Sequence, residues 1–522
     1  MLAWLTKRVA GHSLAVLSVI LFLTFLDNTI VAVVLANVQS TLAAGVQDLQ
    51  WVVDGYMLAF AVFMLSGGTL GDLLGRKKVM LSGVSLFVVG SLIAVLAHSV
   101  DMLIAGRVIM GLGAAGSEPG TLSMIRQLYP ESHARAKALG VWAAVSGIAL
   151  AFGPIIGGII IGFSDWRGVF VFNIIFGLMA LIAGWRFLPE SSDPGSRHLD
   201  VYGLISGGIA ICAAATAVIL GEDAGYGSHL IIALFVLSGV SALAFALIER
   251  KQKDPVLPLK LFKKLRFSIA NTVAFSANFG IFAVFFFVAL YLQFIVGFSG
   301  YQIAEAFISM TVAIVVAALI TGRIYSFVRT LPLVVLGSIL SGAGIIVLNR
   351  IIKPDVTAAE LSWVLALTGL GFGILLVTMT SSVLNIVSAK RSGMASSTVN
   401  TFRELGGVFG VAVLGSIVNA QLTSGLIGKL KALNLPTNFQ AFVIYAITHG
   451  GHVPTNAHVS VSELASHASL VQSITLVAYA AFGHGLTIAL NIAGSLLLLV
   501  ALVSGILYVL RRNYELEAGE TA

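Results

Sequence analysis

The sequence predicts an all-α integral membrane protein, and three observations carry that expectation. First, 58% of its 522 residues are hydrophobic and only 10% are charged, against roughly a quarter charged in a soluble domain. Second, the apolar residues come in runs long enough to cross a bilayer, which takes about 20 residues per helix. Third, Lys and Arg gather on alternate connections between those runs, the mark of a polytopic chain with fixed orientation. Fourteen spans would take up about 280 residues, close to the apolar content. A soluble globular domain and a disordered chain are both excluded.

The elements follow in order. Lys7 and Arg8 precede a first apolar run at about 13–37. It is too long for a signal-peptide core and no small-x-small cleavage site follows, so it reads as a retained span. The second, 51–71, runs into a Gly-rich turn, and the basic Arg76, Lys77 and Lys78 open the third, 79–98. The fourth, 102–127, carries Arg107 and Glu118 at membrane depth. Arg135 and Lys137 precede the Gly-rich fifth, 138–162. Uninterrupted apolar sequence gives the sixth to eighth at 168–188, 201–221 and 229–249. Beyond a basic linker lie 267–297, 303–326, 332–351, 360–387, 394–420 and 481–510.

With the N-terminus inside, 23 of the 30 Lys and Arg fall at cytoplasmic ends, including Lys390, Arg391, Arg511 and Arg512. Five fall outside, and Arg107 and Arg403 lie within spans. Both termini are therefore expected in the cytoplasm. The pI near 9.4 reports this topology and contact with anionic lipid, not a nucleic-acid partner.

The linker Arg250–Arg266 is the densest basic run. From Leu259 it alternates apolar and cationic residues, which suits either a short helix on the inner leaflet or a solvated connection. It separates two halves that look related: the Gly-rich fifth span, Gly147 to Gly158, is matched by Gly406, Gly407 and Gly410 in the thirteenth. Small residues let helices approach closely, in static packing as well as at interfaces that rock or slide. The expected organisation is 1–190 as a six-helix bundle, 191–265 as two inserted helices and the basic linker, and 266–522 as a second six-helix bundle. An external segment at about 421–471 holds an apolar island, Ala441 to Ile447, and His449, His452, His458 and His467. Their spacing fits no metal-ligand pattern, so no metal is expected. Cys212 is the single cysteine, so an intrachain disulfide is impossible.

Ionisable groups at membrane depth are costly and mark function by default. Asp54 and Glu305 lie about one turn in from the outer ends of their spans, where interfacial solvation is the simplest role; Asp54 also suits the lining of an entrance. Asp27, Glu118 and Glu404 lie deeper. Asp27 and Arg107 have similar depths, so they are expected to pair if spans one and four are neighbours. Glu118 is eleven residues beyond Arg107; eleven steps of 100° return to nearly the same face but about 16 Å deeper, so the two cannot touch. Arg403 and Glu404 point about 100° apart, and only one is expected to face a central cavity squarely. A static ion pair holding helices in register is the alternative for each. The transport reading is that a desolvated carboxylate binds and releases protons near neutral pH, linking proton flow to substrate flow where the two compete.

Four motifs give the chain a family resemblance. Gly68-Thr-Leu-Gly-Asp72-Leu-Leu-Gly75-Arg76-Lys77-Lys78, Ala105-Gly-Arg107 through Pro119, Gly147-Ile-Ala-Leu-Ala-Phe-Gly153-Pro154-Ile-Ile-Gly157-Gly158 and Leu26-Asp27-Asn28-Thr29-Ile30-Val31 resemble motifs of the major facilitator superfamily. Within it they resemble most the fourteen-span drug:H+ antiporter (DHA2) group. The resemblance implies the major facilitator fold, two six-helix bundles plus two additional helices between them. It implies a conformational-switching role for Asp72, Gly75, Arg76, Gly153, Pro154, Gly157 and Gly158, and proton coupling through Arg107 and the acid of span one. Thr69, Leu73, Ala36 and Glu118 depart from the family pattern, and Gly322-Arg323 through Arg329 is a degenerate second copy of the first loop that lacks its Asp.

The reading is a proton-driven exporter of small amphipathic or cationic compounds, with no cofactor and nothing that requires more than a monomer. Asp27 ranks first for proton and cation binding, Arg107 modulates it, and Glu404 and Glu118 come next. Export of a lipid or cell-envelope precursor is the alternative, suggested by the external segment, and a transporter-like sensor is the alternative from another class. No nucleophile with a base, metal-ligand set or phosphate-binding loop supports an enzyme or an ATP-driven pump. His484 stands alone near the last span as a packing or interfacial residue.

Overall fold

The computed structural model describes residues 2–192, 200–252, 255, 257, 259–325, 327–386, 392–432 and 468–520. Among them there is no strand, and every apolar run has become a helix: α1 (Leu2–Leu42), α2 (Val46–Leu74), α3 (Arg76–Val95), α4 (Val100–Leu128), α5 (Ser132–Phe163), α6 (Arg167–Phe187), α7 (Val201–Ala224) and α8 (His229–Lys251). The second half holds α9 (Leu265–Phe282), α10 (Gly300–Ile324), α11 (Thr330–Ile351), α12 (Ala358–Ile386), α13 (Ser392–Ala432) and α14 (Ala468–Glu520). Twelve of the described helices are long and apolar enough to cross a membrane; α2 and α5 are 29 and 32 residues long. The external histidines and the island at 441–447 lie outside the described residues.

Helices are the only open-ended element that satisfies its own backbone in lipid, and their connections are capped locally. Ser99, Asp200, Ser228 and Ser299 accept from backbone N–H groups in the first turns of α4, α7, α8 and α10. Beyond Phe282, α9 continues through two widened π-helical stretches, Ala283–Val288 and Leu292–Val296. The stretch after Leu259, left open between a short helix and a solvated connection, forms a five-residue 3-10 turn, Leu259–Lys263, that buries Leu261 and leaves Lys260 and Lys263 exposed.

Within the first half α2 and α3 pack on α4, α1 on α5 and α6, and α3 on α6. Within the second half α10 and α11 pack on α12, α9 on α13, and α14 on α11 and α13. Two seams join the halves, α5 against α10 and α2 against α13. The α7–α8 hairpin packs against α2 and α13 together, so it straddles one seam. Its base is tied by Asp200 Oδ1, which accepts from Gly203 N (2.8 Å) and Gln252 Nε2 (3.1 Å).

The glycines divide between packing within each half and the seams between the halves. A Cβ at Gly153 would lie 2.0 Å from Thr29 Oγ1, and one at Gly157 3.1 Å from Ile30, so α5 seats on α1 inside its own bundle. Gly406 and Gly410 seat α13 on Phe275 and Phe279 of α9 in the same manner. Gly153, Gly157, Gly406 and Gly410 thus serve packing within each half. The seam is served by Gly407 and Gly415, where a Cβ would meet Met57 Cε at 2.1 Å and Gln50 Nε2 at 1.7 Å.

Candidate functional site

The helix ends fall into two sets, one carrying Arg76, Lys77 and Lys78 (the basic end) and the opposite, far end. Two groups of buried charges lie between them.

The first is inside the α1–α6 bundle. Arg107 of α4 is 1% exposed and bonds Asp27 Oδ2 of α1 through Nη1, while its Nε donates to Val52 O of α2 at 2.9 Å. The guanidinium lies 4.4 Å from the centre of the Tyr56 ring, and a desolvated cation over an aromatic face gains further. The other carboxylate oxygen of Asp27 accepts from Asn173 Nδ2 of α6 at 2.7 Å. One acid and one base are thus matched, with both carboxylate oxygens occupied. The pair expected from equal depth is present; Asn173, a lone amide in an apolar span, completes it.

The second group crosses the seam. Arg403 of α13 reaches over the Phe25 ring of α1 (4.2 Å) and donates from Nη2 to Glu118 Oε1 of α4 at 3.3 Å. The same guanidinium bonds Glu404 Oε1 through Nε (3.1 Å) and Nη2 (2.8 Å). Asn400 Nδ2 donates to Glu118 Oε1 at 3.1 Å. The expectation that Arg403 and Glu404 diverge is corrected: the 100° between their Cβ directions is taken up by the long side chains, which converge on one point. Behind Glu118, Thr121 Oγ1 donates to the Glu118 carbonyl (2.7 Å) and accepts from Trp142 Nε1 (2.9 Å). Trp142 in turn meets Phe25 edge-on. Glu118 Oε2 and Glu404 Oε2 have no hydrogen-bond partner. Here one cation faces two carboxylates, all buried.

At the basic end, Gly75 takes φ +109° between α2 and α3, a conformation that favours glycine. Glu190, beyond α6, fills the space a Cβ would need: its carboxylate accepts from the backbone of Lys77 (3.1 Å) and Lys78 (3.3 Å), an anion at the N-terminus of α3. Arg76 donates from N to Ser191 O (2.8 Å) and from Nη1 to Gln127 Oε1 (3.4 Å). Sequence reading missed Glu190 because its partners are backbone groups more than a hundred residues away. The side chains of Asp72 and Pro154 lie outside the described residues; their backbones belong to the last turn of α2 and to α5. Gly158 is buried.

Two expectations for acids near helix ends part company. Glu305 is exposed, as an interfacial residue should be. Asp54 is fully buried with neither oxygen partnered, so interfacial solvation is corrected: α2 starts at Val46, placing Asp54 about 12 Å in from the far end. Among the described residues no group of three His, Cys, Asp or Glu suits a metal ion.

Residues 17–411 match the family model of the Major Facilitator Superfamily. The chain belongs to that superfamily. This places it among membrane transporters, not enzymes. Similar superfamily proteins include the methylenomycin A resistance protein of Bacillus subtilis (strain 168), 32% identical over 410 residues, covering 78% of this chain and 88% of that protein. The multidrug resistance protein Stp of Mycobacterium tuberculosis is 30% identical over 439 residues, covering 84% and 81%. Among solved structures, a bacterial homolog of the human lysosomal transporter Spinster, inward-facing and occupied, shares the fold with a TM-score of 0.59 at 17% identity, over 95% of this chain and 96% of that one.

Proposed function

We propose that this superfamily member is a fourteen-span, proton-coupled antiporter that exports small amphipathic or cationic compounds by alternating access. In this reading it works as a monomer in the inner membrane of a bacterial cell, with the basic end and both termini cytoplasmic. Bundles 1–190 and 266–522 rock about the two seams, with 191–265 inserted between them. The resistance and multidrug names of its relatives support export of drug-like compounds, and the basic residues at one set of helix ends support the orientation.

The observation that carries the mechanism is the gathering of Glu118, Glu404 and a single guanidinium across the α2–α13 side of the molecule. A water-excluded site with two carboxylates and one cation holds one uncompensated negative charge, and buried charge without a partner is strongly disfavoured. One proton balances it, and so does one cationic substrate. Competition between the two for the same vacancy is the minimal device for exchange. The Glu118–Arg403 bond must break when the halves separate at the basic end, so occupancy and opening are linked. Asp27, the first choice on depth alone, already has both oxygens engaged. It serves best as a second protonatable group that acts when its bond to Arg107 loosens.

The test is flux in proteoliposomes under an imposed proton gradient, with ethidium as a cationic probe and a neutral drug beside it. Gradient-driven ethidium movement that is lost in Glu118→Gln and in Asp27→Asn, with both variants correctly folded, is expected. Wild-type flux in both variants would sink the assignment; ethidium binding by the purified protein without flux would leave a sensor.

A further inference from the structure

Asp54 plays no part in either charge group, and its position asks for an explanation. Along α2, Gln50, Asp54, Met57 and Ala61 are spaced four, three and four residues apart, which is one helical stripe. Gln50 lies against Gly415 of α13 and Met57 against Gly407, so the stripe, with Asp54 at its middle, runs along the seam between the two halves. Val52 and Tyr56, the residues that meet Arg107, are each two positions from Asp54, or about 200° around the helix. Asp54 therefore points away from the Asp27–Arg107 pair. Gly55 turns toward the Ile104 and Val108 side chains and the Ile104 carbonyl of α4, which offer no donor.

Among the described residues, the buried charged groups of α1, α4 and α13 are held elsewhere. Arg107 of α4 and Asp27 of α1 hold each other; Arg403 and Glu404 of α13 are joined about two turns toward the basic end; Tyr226, beyond α7, bonds Ser416. Glu222 and Asp223 of α7 have side chains outside the described residues. Asp54 is 0% exposed with both oxygens unpartnered, and one turn farther out the amide nitrogen of Gln50 is unpartnered as well. The far half of the seam is closed over them by Gln47 Nε2 donating to Ile219 O (3.1 Å) and by the Tyr226–Ser416 bond.

An ionised carboxylate with no donor at this depth is not sustainable, whereas the neutral acid is an ordinary amide-sized polar group. We propose that Asp54 is a proton-binding site on the α2–α13 seam, neutral while the far half of the seam is closed and ionised when that half parts to water. With the far end external, which rests on the orientation proposed above, closure toward the outside then requires a proton taken from the outside. The site is separate from the Glu118–Arg403–Glu404 cluster: it sets when the outer seam can shut, not what is exchanged.

Three measurements on the full chain in lipid test this without any transported compound, so they stand or fall independently of the export reading. In infrared spectra at neutral pH, the carbonyl stretch of protonated carboxylic acids should lose one component in Asp54→Asn; an unchanged band would overturn the proposal. Asn is isosteric with the neutral acid, so the melting temperature at neutral pH should not change, and a large rise would also overturn it, by revealing a strained ionised group. For the seam, Ser416→Cys in a Cys212→Ser background reports opening to a membrane-impermeant maleimide. Because the thiolate is the nucleophile, labelling of any thiol climbs with pH; taken as a ratio to the rate in Asp54→Asn at the same pH, the rate with Asp54 present should climb further with external pH, approaching about tenfold per pH unit while the ionised fraction is small. A ratio that stays flat with pH would show that Asp54 does not control closure.

Discussion

The two buried charge groups differ in arithmetic and in address. Asp27 and Arg107 are matched one to one inside a single bundle, and Asn173 and Val52 O take up further hydrogen-bonding capacity. Glu118, Arg403 and Glu404 are matched two to one, span both halves, and leave an oxygen on each carboxylate unpartnered. A balanced group inside one half needs no further partner, while an unbalanced one across a seam is, on the proposed mechanism, where a proton or a cation binds and what each opening would disturb. Buried charge alone does not separate the two groups; stoichiometry and location do.

The largest effect is expected at the balanced pair. Arg107→Leu leaves Asp27 buried without its cation and should cost about 3–5 kcal/mol of stability, read as a fall in melting temperature. Adding Asp27→Asn should return most of that loss, and a double variant no more stable than the single one would contradict the matched-pair account. Glu118→Gln should behave in the opposite way. It leaves Arg403 balanced by Glu404, so the fold should survive while gradient-driven flux falls by at least about tenfold, roughly 1.4 kcal/mol in the coupled step. A Glu118→Gln protein that unfolds instead would make the cross-seam cluster as structural as the first.

Smaller effects sharpen the boundary between packing and switching. Gly153→Ala places a methyl 2.0 Å from Thr29 Oγ1 and should cost about 1–3 kcal/mol by overpacking α5 on α1. Because that contact lies within one bundle, the loss should appear in melting temperature before it appears in the pH dependence of flux. Smallest is Glu190→Gln, which weakens the anion at the start of α3 and should cost about 0.5–1 kcal/mol, measured by the same thermal assay.

Much of this was legible in the sequence, for identifiable reasons. Span length and basic loops gave the helices. Equal depth predicted the Asp27–Arg107 contact, because depth along two antiparallel helices is a one-dimensional quantity. The glycine repeat between α5 and α13 was visible, but its partners were not: nothing in Gly153 or Gly406 says whether the facing helix belongs to the same bundle. Arg403 meeting Glu118 was hidden for a similar reason, since adjacent Cβ directions say little about where a flexible guanidinium and carboxylate come to rest. Asp54 was misjudged through a five-residue difference in where α2 begins, enough to move an acid from the rim into the interior.

The reach of Arg403 also bears on how the protein is made. Glu118 is 285 residues ahead of its cation, and at typical rates of synthesis that separation is on the order of tens of seconds. Throughout that interval the first half sits in the bilayer with an acid whose counter-charge has not yet been translated. Glu118 must pass those seconds as a neutral acid or facing water. When α13 docks, Arg403 reaches Glu118 with Glu404 already on it, so joining the halves gives Glu118 a cation that it must share and leaves two carboxylates to one guanidinium.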